Sequence, residues 1–350
     1  MEKRITTFVG LDVSDKFTDM CVLDGAGAVV ARDRLRTVRS SLEKRLSQFR
    51  GARVVLEVGV HSRWMAELIG GLGHEVVVAN PRQVRLIWQR RMKSDRSDAL
   101  ILARLGRMDV HLLAPVQHRS RGAQVDLACV RSRDILVRHR SHLISHVRGM
   151  LKPFGHRVPD CGSAQFVAHA EAVLPAELLP ALGPVLAVLR TLNEQIASQD
   201  KQVEHLARTV HPVTARLSQV DGVGDLTALA YVLTVEDPTR FKKSRVAASF
   251  LGLVPGKGQS GESDPQQHIT KTGDPFVRRL LVQCAQYTLG PLSQDSDLKR
   301  WGLALASRGG KNAKKRAVIA VARKLAVLLH RLWLSGQSYQ PLGFGRAPQT

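Results

Sequence analysis

The chain has 350 residues, of which 44% are hydrophobic, and its 52 lysines and arginines outnumber 30 aspartates and glutamates, giving a net charge of +22. This length favours two domains, and the charge favours a polyanionic partner, of which nucleic acid is the commonest. The four scattered cysteines exclude a disulfide scaffold, and no apolar run is long enough to span a bilayer. We therefore expect a soluble intracellular protein that does not associate with membranes.

The N-terminal part of the chain carries strand and helix signals in alternation. Residues 5–37 predict three strands joined by turns, and an amphipathic helix follows at about 40–49. A short apolar strand at 53–57, a helix at about 62–71 and a strand at 74–79 come next. Hairpins followed by strands that alternate with helices predict a mixed α/β sheet.

The middle of the chain changes to helical spacing without strands. Apolar residues from 124 to 151 fall on one helix face. Farther on, apolar residues recur at every seventh position, at Leu182, Leu189, Ile196, Val203 and Val210. This seam predicts a coiled coil or a long helical hairpin, and packing within one domain explains it equally well.

Two glycine motifs mark the C-terminal part of the chain. Gly222 and Gly224 have the spacing of a helix-hairpin-helix turn, in which backbone N–H groups approach a phosphate, although a plain corner between two helices carries the same glycines. A glycine-rich loop at 251–261 follows an apolar helix, and basic segments at 271–279 and 308–324 come after it. These signals predict a mostly helical region.

Four acidic residues stand where the pattern is apolar or where a helix begins. Asp12 lies inside an apolar run, Glu57 ends an apolar strand, and Asp95 and Asp98 are one helical turn apart. A carboxylate in an apolar strand needs a partner that leaves it ionised, and a cation serves best. Each acid alone also fits a simpler role, as a turn residue, a strand-end charge or a helix cap. The ordered set of four predicts a magnesium site, in which Mn²⁺ can substitute.

Such a site suits the cleavage of a phosphodiester. Two divalent ions about 4 Å apart stabilise both the entering and the leaving oxygen, and three or four carboxylates hold such a pair. Magnesium prefers oxygen ligands, so acids from strand ends and a helix need only converge in space. The four acids together resemble the acidic centre of the ribonuclease-H-like fold.

The ordered motifs over nearly the whole chain resemble the DEDD-class insertion-sequence transposases. That family has a RuvC-like N-terminal domain and a separate serine-bearing transposase domain, and it includes recombinases guided by a bridge RNA. The segments that carry the resemblance are Gly10–Ser14, Glu57–Ser62, Lys93–Ala99, Leu251–Pro255, Ile269–Gly273 and Arg278–Leu281. Each segment is weak alone, whereas their order is specific.

The resemblance implies a catalytic role for the four acids, which bind Mg²⁺, and for a serine in the glycine-rich loop. By position this serine is Ser260, whose hydroxyl would attack the DNA phosphodiester and form a covalent phosphoserine link. Relatives often place a second small hydroxyl residue beside the catalytic serine, whereas Gln259 and Gly261 flank it here. Because Ser263 lies close by, the choice between the two serines stays open.

The resemblance also implies partners and a domain plan. Donor and target DNA duplexes and a structured non-coding guide RNA are the expected partners of a homodimer or homotetramer, in the cytoplasm at the bacterial nucleoid. The expected parts are a RuvC-like catalytic domain at 1–115, a helical coiled-coil linker that joins subunits at 116–212, a transposase domain at 213–335 and a flexible tail at 336–350. The residues predicted to contact nucleic acid are Gly222, Gly224, Lys257, Lys271, Arg278, Arg279, Arg131 and Arg138.

Two other functions are compatible with parts of the sequence. A structure-specific endonuclease that resolves junctions would use metal-activated water, and Ser260 would then be structural. A non-catalytic nucleic-acid-binding protein would need only the positive charge, which leaves Asp12 without a purpose. The sequence as a whole favours a magnesium-dependent DNA recombinase with a serine nucleophile.

Overall fold

The polypeptide forms two units, which divide between His118 and Arg119. The computed structural model describes residues 5–82, 95–256, 258, 263, 265 and 267–343. Within these ranges no helix combines the length and the apolar character that crossing a membrane requires.

A mixed sheet forms the centre of the first unit. Among the described residues it has five strands, in the order β3-β2-β1-β4-β5. They are β1 (Phe8–Val13), β2 (Phe17–Leu23), β3 (Val29–Arg36), β4 (Arg53–Glu57) and β5 (Glu75–Ala79). β2 pairs antiparallel with β1 and β3, whereas β4 pairs parallel with β1 and β5. The predicted mixed sheet is confirmed, and it is consistent with a ribonuclease-H-like domain.

Helices cover both faces of this sheet. They are α1 (Arg39–Leu46), α2 (Ser62–Gly71) and α3 (Asp95–Met108). Val9 and Leu11 of β1 pack against α1 and α2, whereas Phe8 packs against α3. Because successive side chains of a strand point to opposite faces, Gly10 and Asp12 share the face of Phe8. That face is the one covered by α3.

The regular secondary structure described in the second unit is helical, and Pro255 and Ile269 form an isolated β-bridge. Its helices are α4 (Arg121–Leu151), α5 (Phe166–Ala172), α6 (Leu179–His205), α7 (Val213–Leu217), α8 (Asp225–Val235), α9 (Ser244–Phe250), α10 (Pro275–Thr288), α11 (Asp297–Ala306) and α12 (Ala313–Ser335). Tyr231 of α8 is completely buried at the centre, and its hydroxyl donates to the Ala326 carbonyl at 2.8 Å. Burial raises the pKa of this phenol far above its ordinary value.

The first four residues of the predicted heptad seam lie on α6, which packs antiparallel to α4. Arg133 donates to Asp200 at 2.7 Å, and Arg140 donates to Asn193 at 3.1 Å, so the helices run in opposite directions. Four of the five seam residues are buried inside the chain, and Val210 is exposed. The seam therefore forms the helical hairpin that was one of its two predicted forms. Subunit contacts through residues 116–212 stay a prediction, as do the three-part division of 116–350 and its tail.

Candidate active site

Two of the predicted acids lie side by side at the carboxyl ends of parallel strands. Leu11 of β1 is opposite Leu56 of β4, and Asp12 and Glu57 are the next residues of the two strands. Neighbouring strands are about 4.8 Å apart, so the two carboxylates start from adjacent backbone positions. Both residues are half-buried, and alternation along the strands places both on the face covered by α3.

Helix α3 brings Asp98 to the same edge of the sheet. A Cβ atom at Gly10 would lie 2.0 Å from the Ala99 carbonyl oxygen, so α3 crosses β1 in direct backbone contact. At the other end of α3, Arg53 at the start of β4 donates to the Gly106 carbonyl at 3.0 Å. The helix thus runs opposite to both strands, and its first turn lies toward their carboxyl ends. Asp98, half-buried, belongs to that turn.

Asp95 is the first residue of α3, one helical turn before Asp98. Its side chain lies outside the described residues. The acids offer oxygen ligands of the kind that Mg²⁺ prefers, so the chemistry of the donors fits a hard divalent cation. The described side chains alone contain no group of three His, Cys, Asp or Glu residues close enough to hold a metal ion. Ligation by all four acids therefore stays a prediction.

A further carboxylate on this face was missed by the sequence analysis. Asp19 of β2 is directly opposite Asp12 in the antiparallel register, and opposite residues of such a pair share one face. The residue is buried, and its carboxylate lies 3.8 Å from Arg34. The signal that would have found it is the register of the β1–β2 hairpin, which pairs the two aspartates.

His61, to which the sequence assigned no role, is held beside this edge after β4. Trp64 donates its indole N–H to His61 Nδ1 at 3.0 Å, so the other ring nitrogen, Nε2, carries the proton in the neutral ring. That nitrogen lies 3.0 Å from Asp15 Oδ1 in the β1–β2 turn. Both ring nitrogens therefore have protein partners, which fits a role in holding the two loops together.

The predicted nucleophile Ser260 and the predicted contact Lys257 lie outside the described residues. The ends of their loop are joined, since Pro255 and Ile269 form a β-bridge and the Gly256 N–H donates to the His268 carbonyl at 2.9 Å. The alternative nucleophile Ser263 is exposed. The choice between the two serines stays a prediction.

The glycine turn predicted to approach phosphate connects α7 and α8. Gly222 has a φ of +85°, and a Cβ there would lie 2.7 Å from the Tyr287 ring, so this turn requires glycine on two counts. Gly224 is the residue before α8. The helix-hairpin-helix geometry and phosphate binding by this turn both stay predictions.

The arginines predicted to contact nucleic acid have protein partners in the second unit. Arg131 donates to Asp274 at 2.5 Å, and both Arg138 and Arg279 pair with Asp134. Arg278 donates to two backbone carbonyls, those of Leu251 and Thr272. The remaining member of the predicted set with described coordinates, Lys271, is exposed and has a φ of +52°. These arginines hold α4 and the loop region together, and their contact with nucleic acid stays a prediction.

Two family models match this chain. Residues 9–155 match the DEDD transposase model of the IS110 type, and residues 214–297 match the model described as "Transposase IS116/IS110/IS902 family". The first match contains the edge with Asp12, Glu57 and Asp98, and the second contains the glycine turn and the glycine-rich loop. Together they make up more than half of the chain.

Similar full-length proteins carry transposase names. The chain is 27% identical over 341 residues to a transposase for insertion sequence element IS1111A from Coxiella burnetii, covering 95% of this chain and 91% of that protein. It is 27% identical to a probable family 20 transposase from Pseudomonas aeruginosa, covering 95% and 98%. It is 28% identical to a transposase for insertion sequence element IS1328 from Yersinia enterocolitica, covering 91% and 94%.

Proposed function

We propose, from the premise that this chain belongs to the DEDD family of insertion-sequence transposases, that it is a magnesium-dependent recombinase that cuts and rejoins double-stranded DNA. Transposases as a class are enzymes that cleave and rejoin DNA. The observation that carries the proposal is that Asp12 and Glu57 directly follow the paired residues Leu11 and Leu56 at the carboxyl ends of parallel strands. The first turn of α3, with Asp98, faces that same edge.

The acids would hold the divalent cation, with Mn²⁺ able to replace Mg²⁺. A divalent cation bound there supplies charge stabilisation for the attacking and leaving oxygens of phosphodiester exchange. Asp12 and Glu57 come from rigid sheet positions, and Asp98 comes from a helix held in backbone contact with β1 at Gly10. A site built on such elements keeps its ligands in fixed positions while DNA enters.

The serine step belongs to the glycine-rich loop of the second unit. The Ser260 hydroxyl oxygen would attack phosphorus, lose its proton to a base, and form a phosphoserine ester as the bond to the leaving sugar oxygen breaks. The leaving oxygen takes up a proton. A sugar hydroxyl from the second duplex then attacks the ester, which rejoins the strand and restores the serine. Ser263 is the alternative nucleophile.

A guide RNA and a dimer or tetramer complete the proposal. The net charge of +22 supports binding of more than one nucleic-acid strand, and aromatic residues amount to only 5% of the chain. Few stacking platforms leave the protein suited to contact backbones, so base pairing with an RNA would select the sequence. An oligomer would bring two duplexes together, and the acidic and serine sites would meet either within one subunit or between subunits.

Strand exchange on a supercoiled donor and a target duplex, with the RNA transcribed from the flanking DNA, tests this function. Asp12→Asn and Ser260→Ala are each expected to abolish exchange while leaving DNA binding intact. Glu67→Gln and Ser263→Ala are the matched controls. Glu67 is exposed on α2 and is not one of the four acids predicted to bind the cation. Both controls are expected to keep wild-type exchange.

Each outcome tests a different part of the proposed function. Undiminished exchange by Asp12→Asn removes the acidic site from the mechanism. Loss of exchange in Ser263→Ala, with activity kept in Ser260→Ala, moves the nucleophile to the other serine. Exchange that is equal with and without the RNA contradicts guidance by RNA.

A further inference from the structure

A basic groove in the second unit has no role in the acidic or the serine site. It is a cavity of about 1680 Å³ between α11, α12 and both described ends of the glycine-rich loop. Eight lysine and arginine side chains line it, whereas Asp297 is the one acidic residue among its described lining. Asp297 already accepts a hydrogen bond from the Gly343 N–H at 2.8 Å. The groove is therefore strongly electropositive.

The cations follow one face of α12. Arg316, Arg323 and Arg331 face the groove, while Val321 and Leu325 on the opposite face are completely buried in the core. At 1.5 Å per residue, the stretch from the first of these arginines to the last measures about 22 Å. Over that length each strand of a duplex carries about six phosphates, so the row of arginines is long enough to meet several of them.

Three of these cations differ from the predicted arginines, because no carboxylate among the described residues pairs with them. Within the described part of the chain, Lys315, Arg316 and Arg323 form no ion pair, and all three are exposed. The arginines Arg131 and Arg279, by contrast, are paired with buried or half-buried aspartates. Exposed cations without partners gain most from a phosphate, because binding releases counterions without breaking an existing pair.

One aromatic ring of the groove, that of Trp301, has a face covered by a cation. Lys324 Nζ lies 3.7 Å from the centre of the Trp301 ring, so a cation covers that face. Small and branched apolar residues, Ala320 and Val327 among them, separate the cations along α12. This lining offers charge and apolar surface, which suits a sugar–phosphate backbone of any sequence.

We propose that this basic groove binds the sugar–phosphate backbone of duplex DNA. The identity of the nucleic acid as DNA rests on the proposed function, because Pro255 and Ile269, which join the ends of the loop with the predicted nucleophile, also line the groove. A duplex seated along α12 passes that loop. The groove contacts are independent of sequence and set the position of the duplex.

Binding of a short random-sequence DNA duplex, measured by fluorescence anisotropy over a range of salt concentrations with EDTA present, tests the groove. The test variant carries Lys315→Gln and Arg323→Gln, and the control carries Lys201→Gln and Arg157→Gln. Both pairs remove one lysine and one arginine charge from exposed positions, and only the first pair lines the groove. Equal melting temperatures verify that both variants fold.

The groove variant is expected to bind DNA on the order of tenfold more weakly, with its log–log salt slope reduced by about 0.9 for each phosphate that the variant no longer neutralises. The control is expected to bind like the wild type. A groove variant that matches the control on DNA overturns the proposal, and if it then loses affinity for an RNA duplex measured in parallel, the occupant is RNA. Loss of DNA affinity supports the proposal whatever the effect on RNA.

The DNA-binding assay tests the groove independently of the proposed function. The binding assay contains no divalent cation and needs no cleavage, so it is unaffected if Asp12 and Ser260 prove not to be catalytic. Strand exchange that survives in the groove variant with unchanged DNA affinity contradicts the groove alone. Groove-dependent binding without any strand exchange contradicts the proposed function alone.

Discussion

Asp12 and Glu57 place two carboxylates at adjacent positions of a sheet whose neighbouring side chains are completely buried. Two negative charges this close repel each other, and partial burial removes much of the water that would screen them. A divalent cation held by these acids, as proposed, would offset this repulsion. The acidic edge is therefore expected to be more stable with the cation than without it.

Metal binding by these acids is expected to raise the thermal stability of the protein. Mn²⁺ or Mg²⁺ is expected to raise the melting temperature of the wild type, because a ligand at a hundred times its Kd stabilises the folded state by about 2.7 kcal/mol. Glu57→Gln is expected to lose most of this shift, whereas Glu67→Gln keeps it. Differential scanning fluorimetry with and without EDTA measures both. Equal shifts in the two variants would place the cation elsewhere.

Residues could be predicted from the sequence where a local pattern exposed them. Asp12 and Glu57 interrupt or end apolar strands, so the pattern itself marked them. Asp19 was missed because its place beside Asp12 depends on the hairpin register. The partner of Arg131 is Asp274, which lies 143 positions away along the chain. No local pattern separates an arginine bound to such a partner from one that is available to phosphate.

At the scale of elements, the contact between α3 and β1 decides whether Asp98 reaches the acidic edge. An alanine Cβ at Gly10 would lie 2.0 Å from the Ala99 carbonyl oxygen and 2.5 Å from the Ala103 nitrogen, both of them backbone atoms that cannot rotate away. The helix would have to move off the sheet. Overpacking of this kind costs about 1–3 kcal/mol and shifts backbone.

Gly10→Ala is accordingly expected to lower the free energy of unfolding by about 2 kcal/mol or more and to reduce metal binding. Gly59→Ala is the matched control, because a Cβ at Gly59 meets nothing within 4 Å. Its effect should stay within about 0.5 kcal/mol. Chemical denaturation followed by circular dichroism measures both. A Gly10→Ala protein as stable as the control would refute the close helix–strand contact.

The contact between α9, α12 and the turn at Pro238 is expected to make the folded protein sensitive to acid. His330 is completely buried, with Nε2 donating to the Pro238 carbonyl at 2.8 Å and Nδ1 3.0 Å from the Ser244 hydroxyl. Burial lowers the pKa of this histidine below its ordinary value. Below about pH 6.5 the unfolded chain therefore binds a proton that the folded chain resists.

The contribution of His330 to the free energy of unfolding is thus expected to be constant above about pH 6.5 and to fall as the pH drops below that value. His330→Gln should be less stable at neutral pH and should show a smaller loss on acidification. The same change at exposed His139 should keep the wild-type profile. Urea unfolding at a series of pH values supplies the measurement. An equal acid response in His330→Gln and the wild type would contradict the assignment.

Element type was largely predictable in the first unit and less so in the second. The strands at 8–36, 53–57 and 75–79 follow from apolar alternation and turn residues. The heptad seam of α6 left its partner open, because the same stripe packs equally well on a second chain or on α4. The groove along α12 was not predicted from the sequence. Its cations are regularly spaced on a helix, and only the packing of neighbouring elements makes that helix face part of a concave surface.

The net positive charge of the whole chain is expected to dominate its affinity for DNA. With a net charge of +22, affinity for duplex DNA is expected to fall by roughly a thousandfold or more between 50 and 200 mM salt if six or more phosphates are contacted. EDTA should leave this binding unchanged, because phosphate contact needs no divalent cation. Anisotropy titrations at several salt concentrations test it. A salt-independent affinity would show that charge is not the main source of binding.

In the proposed function the two units share the reaction. The first unit would supply the acids, and the second would supply the serine loop and the basic groove. Neither set alone would perform strand transfer by a serine nucleophile. A junction-resolving nuclease that uses water would need only the first. The two accounts differ in one product, a DNA end attached to the protein.

A denaturing gel of supercoiled DNA, incubated with the protein, RNA and Mg²⁺, detects that product directly. Under the proposed function, the wild-type reaction yields DNA ends that migrate with the protein after denaturation and are released by protease. No such species is expected for Ser260→Ala, Asp12→Asn or reactions with EDTA. DNA ends cut without attached protein, and cut equally by Ser260→Ala, would refute the serine mechanism.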